Sequence, residues 1–336
     1  MTHARRWLDA VVRASQELSP TVREFEIAPL SEDGLPAPAV PWSPGAHLDV
    51  QVMIDGRPQT RSYSLVAPAM PDAWRIAVKR VETSRGGSRY LWSLPAAGAR
   101  LRVREPDNHF ELRHGTAPVL LVAGGIGITP IVGMAQALAA RARAGTQRSV
   151  RLLYAARSAQ ELVYADRLRE WLGDDMVGFA EDRDGRIDLA GELARLEPDA
   201  EAYVCGPLPM LDAVRRAWAA AGRPSTALRF ETFGSSGLHA PQDFRVRVPR
   251  HGVDIRVPAD ASLLDALEAA GVETMSECRR GECGLCAMPV LSVDGTIDHR
   301  DVFLSDREKA ESHVICACVS RVAGGEIVLD SAWRPD

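Results

Sequence analysis

The chain has 336 residues, 46% of them hydrophobic and 25% charged, with a formal net charge of -5. A length of this order accommodates two or three domains, and so small and mixed a charge excludes the basic footprint of a nucleic-acid binder. Neither an apolar leader core at Met-Thr-His-Ala-Arg-Arg-Trp nor a run of ~18 apolar residues is present, so a cytoplasmic protein that neither crosses nor binds a membrane is expected.

From Trp7 to about Leu112, short alternating segments are broken by proline and glycine: Leu8 to Ala14, Val22 to Ile27, His47 to Ile54, Gln59 to Val66, Arg75 to Val81 and Arg100 to Arg104. That spacing predicts an antiparallel β-barrel. Within it, Arg61-Ser62-Tyr63-Ser64 on a strand sends Arg61 and Tyr63 to one face and Ser62 and Ser64 to the other. Ala77-Val78-Lys79 follows on the next strand, and then Ser84-Arg85-Gly86-Gly87-Ser88. A Gly-Gly-Ser turn beside arginine offers N–H groups, a hydroxyl and a guanidinium to a phosphate; a hydrated turn on a basic surface is the alternative.

Near Leu112 the pattern changes. Pro118 to Ala123 is a continuous apolar run, as a parallel strand buried on both faces requires, and it ends in Gly124-Gly125-Ile126-Gly127-Ile128-Thr129-Pro130. Ile131, Met134, Ala135 and Leu138 then recur at helical spacing. Strand, glycine turn and helix N-terminus form a geometry that holds a pyrophosphate, although G-x-G-x-x-G is not present. Further strands are expected at Val150 to Ala155, Met176 to Ala180 and Ala202 to Val204, with helices at Leu162 to Trp171 and Met210 to Ala221. Gly124, Gly125 and Gly127, together with Cys205-Gly206-Pro207 after the last strand, fall at carboxyl ends of parallel strands, where open α/β sheets bind ligands. Cys205 has no base nearby in sequence, and a small buried thiol is its ordinary role.

Gly234 to Pro241 reads as a linker. Beyond it, a hairpin is expected at Phe244 to Val248 and Val253 to Val257, and a helix at Ser262 to Ala270. Cys278, Cys283 and Cys286 stand at C-x4-C-x2-C, with Cys316 thirty residues on. Plant-type [2Fe-2S] clusters take three thiolates from one loop and a fourth from elsewhere. Structural zinc favours paired C-x2-C units; a zinc site and a reactive thiol cluster are the alternatives. Cys318 reads as a core residue on a strand.

In this order the motifs resemble the phthalate dioxygenase reductase family, the flavin and iron–sulfur reductases that serve Rieske oxygenases. Arg-x-Tyr-Ser, Gly-Gly-x-Gly-Ile-Thr-Pro, Cys-Gly-Pro and the cysteine loop carry the likeness, with Pro106-Asp-Asn-His-Phe110, His299-Arg-Asp301 and Cys316-Ala-Cys-Val-Ser-Arg321 beside them. The resemblance implies a flavin-binding antiparallel β-barrel (1–112), an NAD-binding parallel α/β domain (113–233), a linker (234–241) and a C-terminal β-grasp ferredoxin domain (242–336). It implies FMN, NADH and [2Fe-2S] as cofactors, a Rieske oxygenase as electron acceptor, and a monomer. Arg61, Ser62, Tyr63 and Ser64 would lie along the flavin ring and ribityl chain, and Ala77, Val78, Lys79, Gly86, Gly87 and Ser88 nearer its phosphate. Thr129, Cys205 and Glu231 would surround the reacting rings, with Phe233 stacked on the flavin and Phe230 its rival. Arg157 and Asp182 would meet the adenosine half of the nucleotide. The acids of Glu181-Asp182-Arg183-Asp184 favour NADH, whereas Arg157 would suit NADPH. The rival functions are a reductase for a cytochrome P450 and a non-enzymatic redox or metal sensor.

Overall fold

Period-two alternation and turn residues place the first hundred residues in strands, and the computed structural model, which describes residues 5–81, 86–233, 237 and 239–331, shows six. They are β1 (Trp7–Ser19), β2 (Val22–Pro29), β3 (His47–Ile54), β4 (Arg57–Ser64), β5 (Trp74–Lys79) and β6 (Arg100–Asp107), all antiparallel in the order β4-β3-β6-β1-β2-β5. Leu65, just past β4, bridges Ile76 of β5 and draws the two edges together. Leu48, Val50 and Val52 alternate into the core beside Phe25, Ile27 and Trp74, leaving His47 and Asp49 on the opposite face of β3. Helix α1 (Gly87–Ser93) packs Leu91 onto that core.

The chain divides into two units, Met1–Glu231 and Thr232–Asp336, and the first contains both this sheet and a parallel one. Its elements are β7 (Val119–Gly124), α2 (Ile128–Arg143), β8 (Val150–Ala156), α3 (Ala165–Leu172), β9 (Met176–Ala180), α4 (Glu181–Asp184), α5 (Leu189–Ala194), β10 (Glu201–Cys205), α6 (Leu208–Ala220) and β11 (Leu228–Glu231). The strand order is β11-β10-β7-β8-β9, every residue of β7 being buried. From β7 the chain moves outward through β8 and β9, then returns to the other side with β10, so the switch point lies between β7 and β10. Pro130 occupies the third position of α2, where a helix has no partner for an N–H. Helix α3 starts three residues later than its periodicity predicts, because Tyr164 takes a left-handed φ of 64°.

Glu161 joins the two sheets of the first unit. Its carboxylate accepts Ser19 Oγ at 3.1 Å, Thr21 Oγ1 at 2.7 Å and Lys79 Nζ at 3.0 Å. Burial works against the charged form, but Thr21 and Lys79 outweigh it and hold the group below the usual carboxylate range. Tyr164 adds a 2.7 Å bond to Glu24, and Arg167 donates to the Ala67 carbonyl.

The second unit comprises β12 (Phe244–Val248), β13 (Val253–Val257), α7 (Leu263–Ala269), β14 (Ala287–Asp298), α8 (Asp306–Glu311), β15 (Val314–Cys316) and β16 (Arg321–Leu329). Its sheet runs β13-β12-β16-β14-β15, with β12 and β16 parallel and the other pairs antiparallel. Helix α7 buries Leu263, Leu264 and Leu267 in the core beside this sheet, which is a β-grasp arrangement. Long β14 escapes a sequence reading because Pro289 and Gly295 interrupt it; the ladder tolerates them through register shifts between Val290 and Ser292 and between Asp294 and Thr296. Arg321 ties the unit together, donating to the carbonyls of Gln242, Pro258 and Ala261 while its guanidinium lies over Phe244.

Asp301, fully buried, accepts from Leu304 N–H at 2.9 Å and Ser320 Oγ at 3.0 Å. Desolvation opposes its charge, but His299, the Leu304 N–H, Lys309 and Ser320 together lower its pKa. A carboxylate depressed below its unfolded value of about 3.9 stabilises the fold above that pH and loses the contribution as pH falls through the folded value. Asp301→Asn should therefore cost about 1–3 kcal/mol near neutrality, and melting of the variant followed from pH 6 to acid should show a shallower decline than that of the parent.

Candidate functional site

The carboxyl ends of β7 and β10 are packed too closely for side chains. A Cβ on Gly127 would sit 2.2 Å from the Cys205 carbonyl oxygen, one on Gly124 2.6 Å from Pro207 Cδ, and one on Gly206 2.9 Å from Met210 Sδ. Gly125 has φ +53° with nothing within 4 Å of its Cβ direction, so this turn is open on one side and closed against Cys205-Gly206-Pro207 on the other. The two glycine segments meet at the switch point and leave backbone beside the opening, which fits a dinucleotide. Thr129 is buried and donates to the Ile126 carbonyl at 3.0 Å, securing the first turn of α2. Cys205 is buried opposite Glu231 in the β10–β11 ladder, and Glu231 is buried as well. Arg157 is exposed just past β8, and its carbonyl accepts the N–H of Asp182 at 3.2 Å, which brings together the two residues expected at the adenosine end.

On β4 the two faces separate as the alternation requires. Arg61 pairs with Val50 and Tyr63 with Leu48, on the core side, whereas Ser62 Oγ donates to Asp49 Oδ1 at 2.6 Å on the other. The Ser62 hydroxyl is thus engaged away from Arg61, and burial pushes the Tyr63 phenol well above its ordinary value, so it stays neutral. Arg61 is held by Gln59 Oε1 at 2.6 Å and the Thr60 carbonyl at 2.9 Å, its stem running so near Gly87 that a Cβ there would lie 2.8 Å from Arg61 Cγ. Gly86 has φ 91°, and its Cβ would strike Ile54. A turn that only glycine can form, beside a fixed guanidinium, fits an anionic flavin side chain. Ser88 follows on α1, while Ala77 and Val78 are buried on β5. Lys79, at the end of β5, pairs its ammonium with Glu161 at 3.0 Å. Ser84 and Arg85 lie outside the described residues.

In the second unit, Cys278 Sγ accepts three backbone N–H groups, from Arg280, Glu282 and Cys283, each at 3.4 Å. The loop achieves this with left-handed Arg279, Gly281 and Gly284; Gly281 packs on Asp301 and Val319, and Gly284 on the ring of Phe303. Val302 N–H closes onto the Gly281 carbonyl at 2.9 Å, so the His299-Arg300-Asp301 segment supports the loop from below. The thiols gather around it. Cys318 lies within hydrogen-bonding reach of both Cys278 and Cys286 and lowers the pKa of each, whereas Cys316 reaches Cys286 alone. Cys278 and Cys286 are drawn toward thiolate while burial pushes Cys283 up, and a loop that gathers thiols and aims backbone N–H groups at one of them fits an iron–sulfur cluster. Sequence spacing selects Cys316 and sets Cys318 in the core; the C-x-C they form is the signal that two cysteines compete for one role. Phe233 is half-buried at the start of this unit, where Thr232 binds Glu282 and the Arg280 carbonyl.

A glycine-lined switch point, a flavin-type barrel and a cysteine loop in a β-grasp fold together define an NAD-linked flavin and iron–sulfur oxidoreductase. Comparison with known proteins agrees. Residues 121–216 match the oxidoreductase NAD-binding domain and residues 246–323 the 2Fe-2S iron-sulfur cluster binding domain. The chain is 34% identical over 328 residues to phthalate dioxygenase reductase of Burkholderia cepacia, covering 95% of this chain and 96% of that one. A solved phthalate dioxygenase reductase superposes with a TM-score of 0.74 at 33% identity, over 96% and 98% of the two chains. The heme-dependent oxidative N-demethylase beta subunit of Ectopseudomonas mendocina is 38% identical (96% and 98%), and vanillate O-demethylase oxidoreductase of Pseudomonas putida 36% (96% and 99%). The chain belongs to the phthalate dioxygenase reductase family. It is an oxidoreductase, and the sensor reading falls away.

The Gly127 site makes a direct test. Its forbidden Cβ would meet backbone, which cannot rotate aside, so Gly127→Ala should open the β7–β10 junction. KM for NADH is expected to rise about tenfold or more, equivalent to about 1.4 kcal/mol, with flavin and iron contents unchanged.

Proposed function

We propose that the chain is the reductase component that supplies a Rieske-type aromatic oxygenase or O-demethylase with electrons from NADH. The observation that carries this reading is the cysteine loop with its N–H donors in one chain with the glycine-lined switch point. Bound here, FMN would accept electrons from NADH as a hydride pair and release them one at a time to [2Fe-2S], which takes one. The residues of the chain bind, orient and shield. Arg61, Tyr63 and Ser64 would hold the flavin ring and ribityl chain, with Gly86, Gly87 and Ser88 at the phosphate and Ala77 and Val78 lining the strand beside it. Lys79 would lie near the phosphate as well, while its ammonium also pairs with Glu161. Gly124, Gly125, Gly127, Gly206 and Pro207 would let the dinucleotide backbone approach, while Thr129, Cys205 and Glu231 exclude water near the nicotinamide. The proposed divisions are 1–112 for flavin, 113–233 for NAD, 234–241 as linker and 242–336 for the cluster, in a cytoplasmic monomer. Among the described residues no helix is long and apolar enough to cross a membrane.

For the cluster, Cys278, Cys283 and Cys286 are proposed as ligands. The fourth is better assigned to Cys318 than to Cys316, because Cys318 reaches two of the other thiols. Cys318→Ser should abolish the [2Fe-2S] paramagnetic signal while NADH still reduces the flavin; Cys316→Ser should keep it. The reverse pattern would restore Cys316.

A second reading, a haem-type terminal acceptor such as a P450, draws on the relative named for heme-dependent N-demethylation. Pairing the purified reductase with terminal components of each class and following NADH consumption separates the two. Flavin released by heat should chromatograph as FMN, and recovery of FAD would reject that assignment. For the nucleotide, kcat/KM should favour NADH over NADPH, because the acids at Glu181, Asp182 and Asp184 repel a 2′-phosphate. Equal or better use of NADPH would overturn the choice.

A further inference from the structure

On the outer face of the barrel, away from Arg61 and Tyr63, three metal-ligating side chains converge. His47 opens β3 and lies opposite Asp107, the last residue of β6, and His109 follows two residues later. One ligand atom from each lies within 4.8 Å of the others. The two imidazoles stack with centroids 5.5 Å apart at 25°, and His109 Nε2 is 3.0 Å from Asp107 Oδ2. We infer that His47, Asp107 and His109 form a divalent-metal site of the zinc class that clamps β3 to the end of β6 and to the segment leading into the parallel sheet.

The donor set suits that class of ion. Two imidazoles and one carboxylate are a common protein complement for zinc, leaving a fourth position for water. An ion about 2.0–2.1 Å from each donor needs them roughly 3.4 Å apart, a closure of at most ~1.4 Å from the 4.8 Å limit, and His109 Nε2 already stands 3.0 Å from Asp107 Oδ2. An outer carboxylate stands nearby as well. His47 Nε2 faces Asp49 Oδ1 at 3.8 Å, beyond hydrogen-bond length, and Asp49 is itself held by Ser62, so a small turn of the ring would bring it to the carboxylate that commonly orients a metal-bound imidazole. Asn108, between two of the ligands, is anchored to Ser43 Oγ at 2.7 Å and to the Pro44 carbonyl at 3.0 Å, which limits the movement of His109.

The cationic neighbours set the threshold for binding. Arg5 lies 3.1 Å from Asp107 Oδ2 and 3.3 Å from Asp49 Oδ2, and Arg104 lies 3.6 Å from Asp49 Oδ2. Zinc must share or displace the Arg5 contact on Asp107, so micromolar rather than tighter affinity is expected.

The test uses the full chain with its flavin and cluster loaded, so that the cluster ligands are already occupied. The holoprotein is stripped with a chelator that leaves its iron in place, dialysed against micromolar zinc at pH 7.5, and assayed for zinc, iron and flavin. One zinc per chain is expected in the parent, with iron and flavin unchanged. His109→Gln, at a half-exposed position tolerant of substitution, and Asp107→Asn should both lose it. Zinc should also raise the melting temperature of the parent and not of His109→Gln. No zinc retained by the parent, or equal retention in both variants, would overturn the site.

Discussion

Everything in the second unit depends on bringing backbone N–H groups to the sulfur of Cys278. A buried thiolate is costly unless donors surround it, and a loop that turns its amides inward must take left-handed conformations. Gly281 and Gly284 do so at no steric cost, while Arg279 does so with its guanidinium tied to Asp265 and Glu268 on α7. The support continues outward through Val302, Asp301 and Ser320 to Arg321, which binds three carbonyls across the unit. The segments around Asp301 and Ser320 therefore act as a buttress under the loop, and the chemistry of the thiols rests on polar groups that never touch them.

The first unit solves the converse problem, making space where backbone must meet a ligand. Gly124, Gly127 and Gly206 allow β7 and β10 to close on each other while their carboxyl ends stay open. The barrel uses Gly86 and Gly87 in the same way beside Arg61. Glu161 then fixes one sheet to the other through Ser19, Thr21 and Lys79, so that both openings belong to a single folded unit.

Most of this is legible in the sequence because the signals are local. The apolar run before Gly124 and the alternation in β3 specify their elements within a residue or two. The cysteine spacing specifies a loop without reference to the rest of the chain. What escapes depends on distant partners. The ion pair of Lys79 is one such case, since its partner Glu161 stands 82 residues away. Cys316 fits the spacing, yet a turn after β15 presents Cys318 to Cys278 and Cys286, which only the folded chain reveals. Strand β14 is hidden by a proline and a glycine that its register shifts absorb, and His47 and His109 stand far apart in the chain until the β3–β6 ladder joins them.

Electrons from NADH pass in series to a two-electron acceptor and a one-electron acceptor carried by one chain. An anaerobic titration with NADH, followed together by visible absorbance and paramagnetic resonance, measures that series. Two electrons on the flavin and one on the cluster require about 1.5 equivalents of NADH for full reduction, with the reduced-cluster signal appearing as the flavin bleaches. Saturation at one equivalent with no cluster signal, or absence of flavin bleaching, would rule out that series.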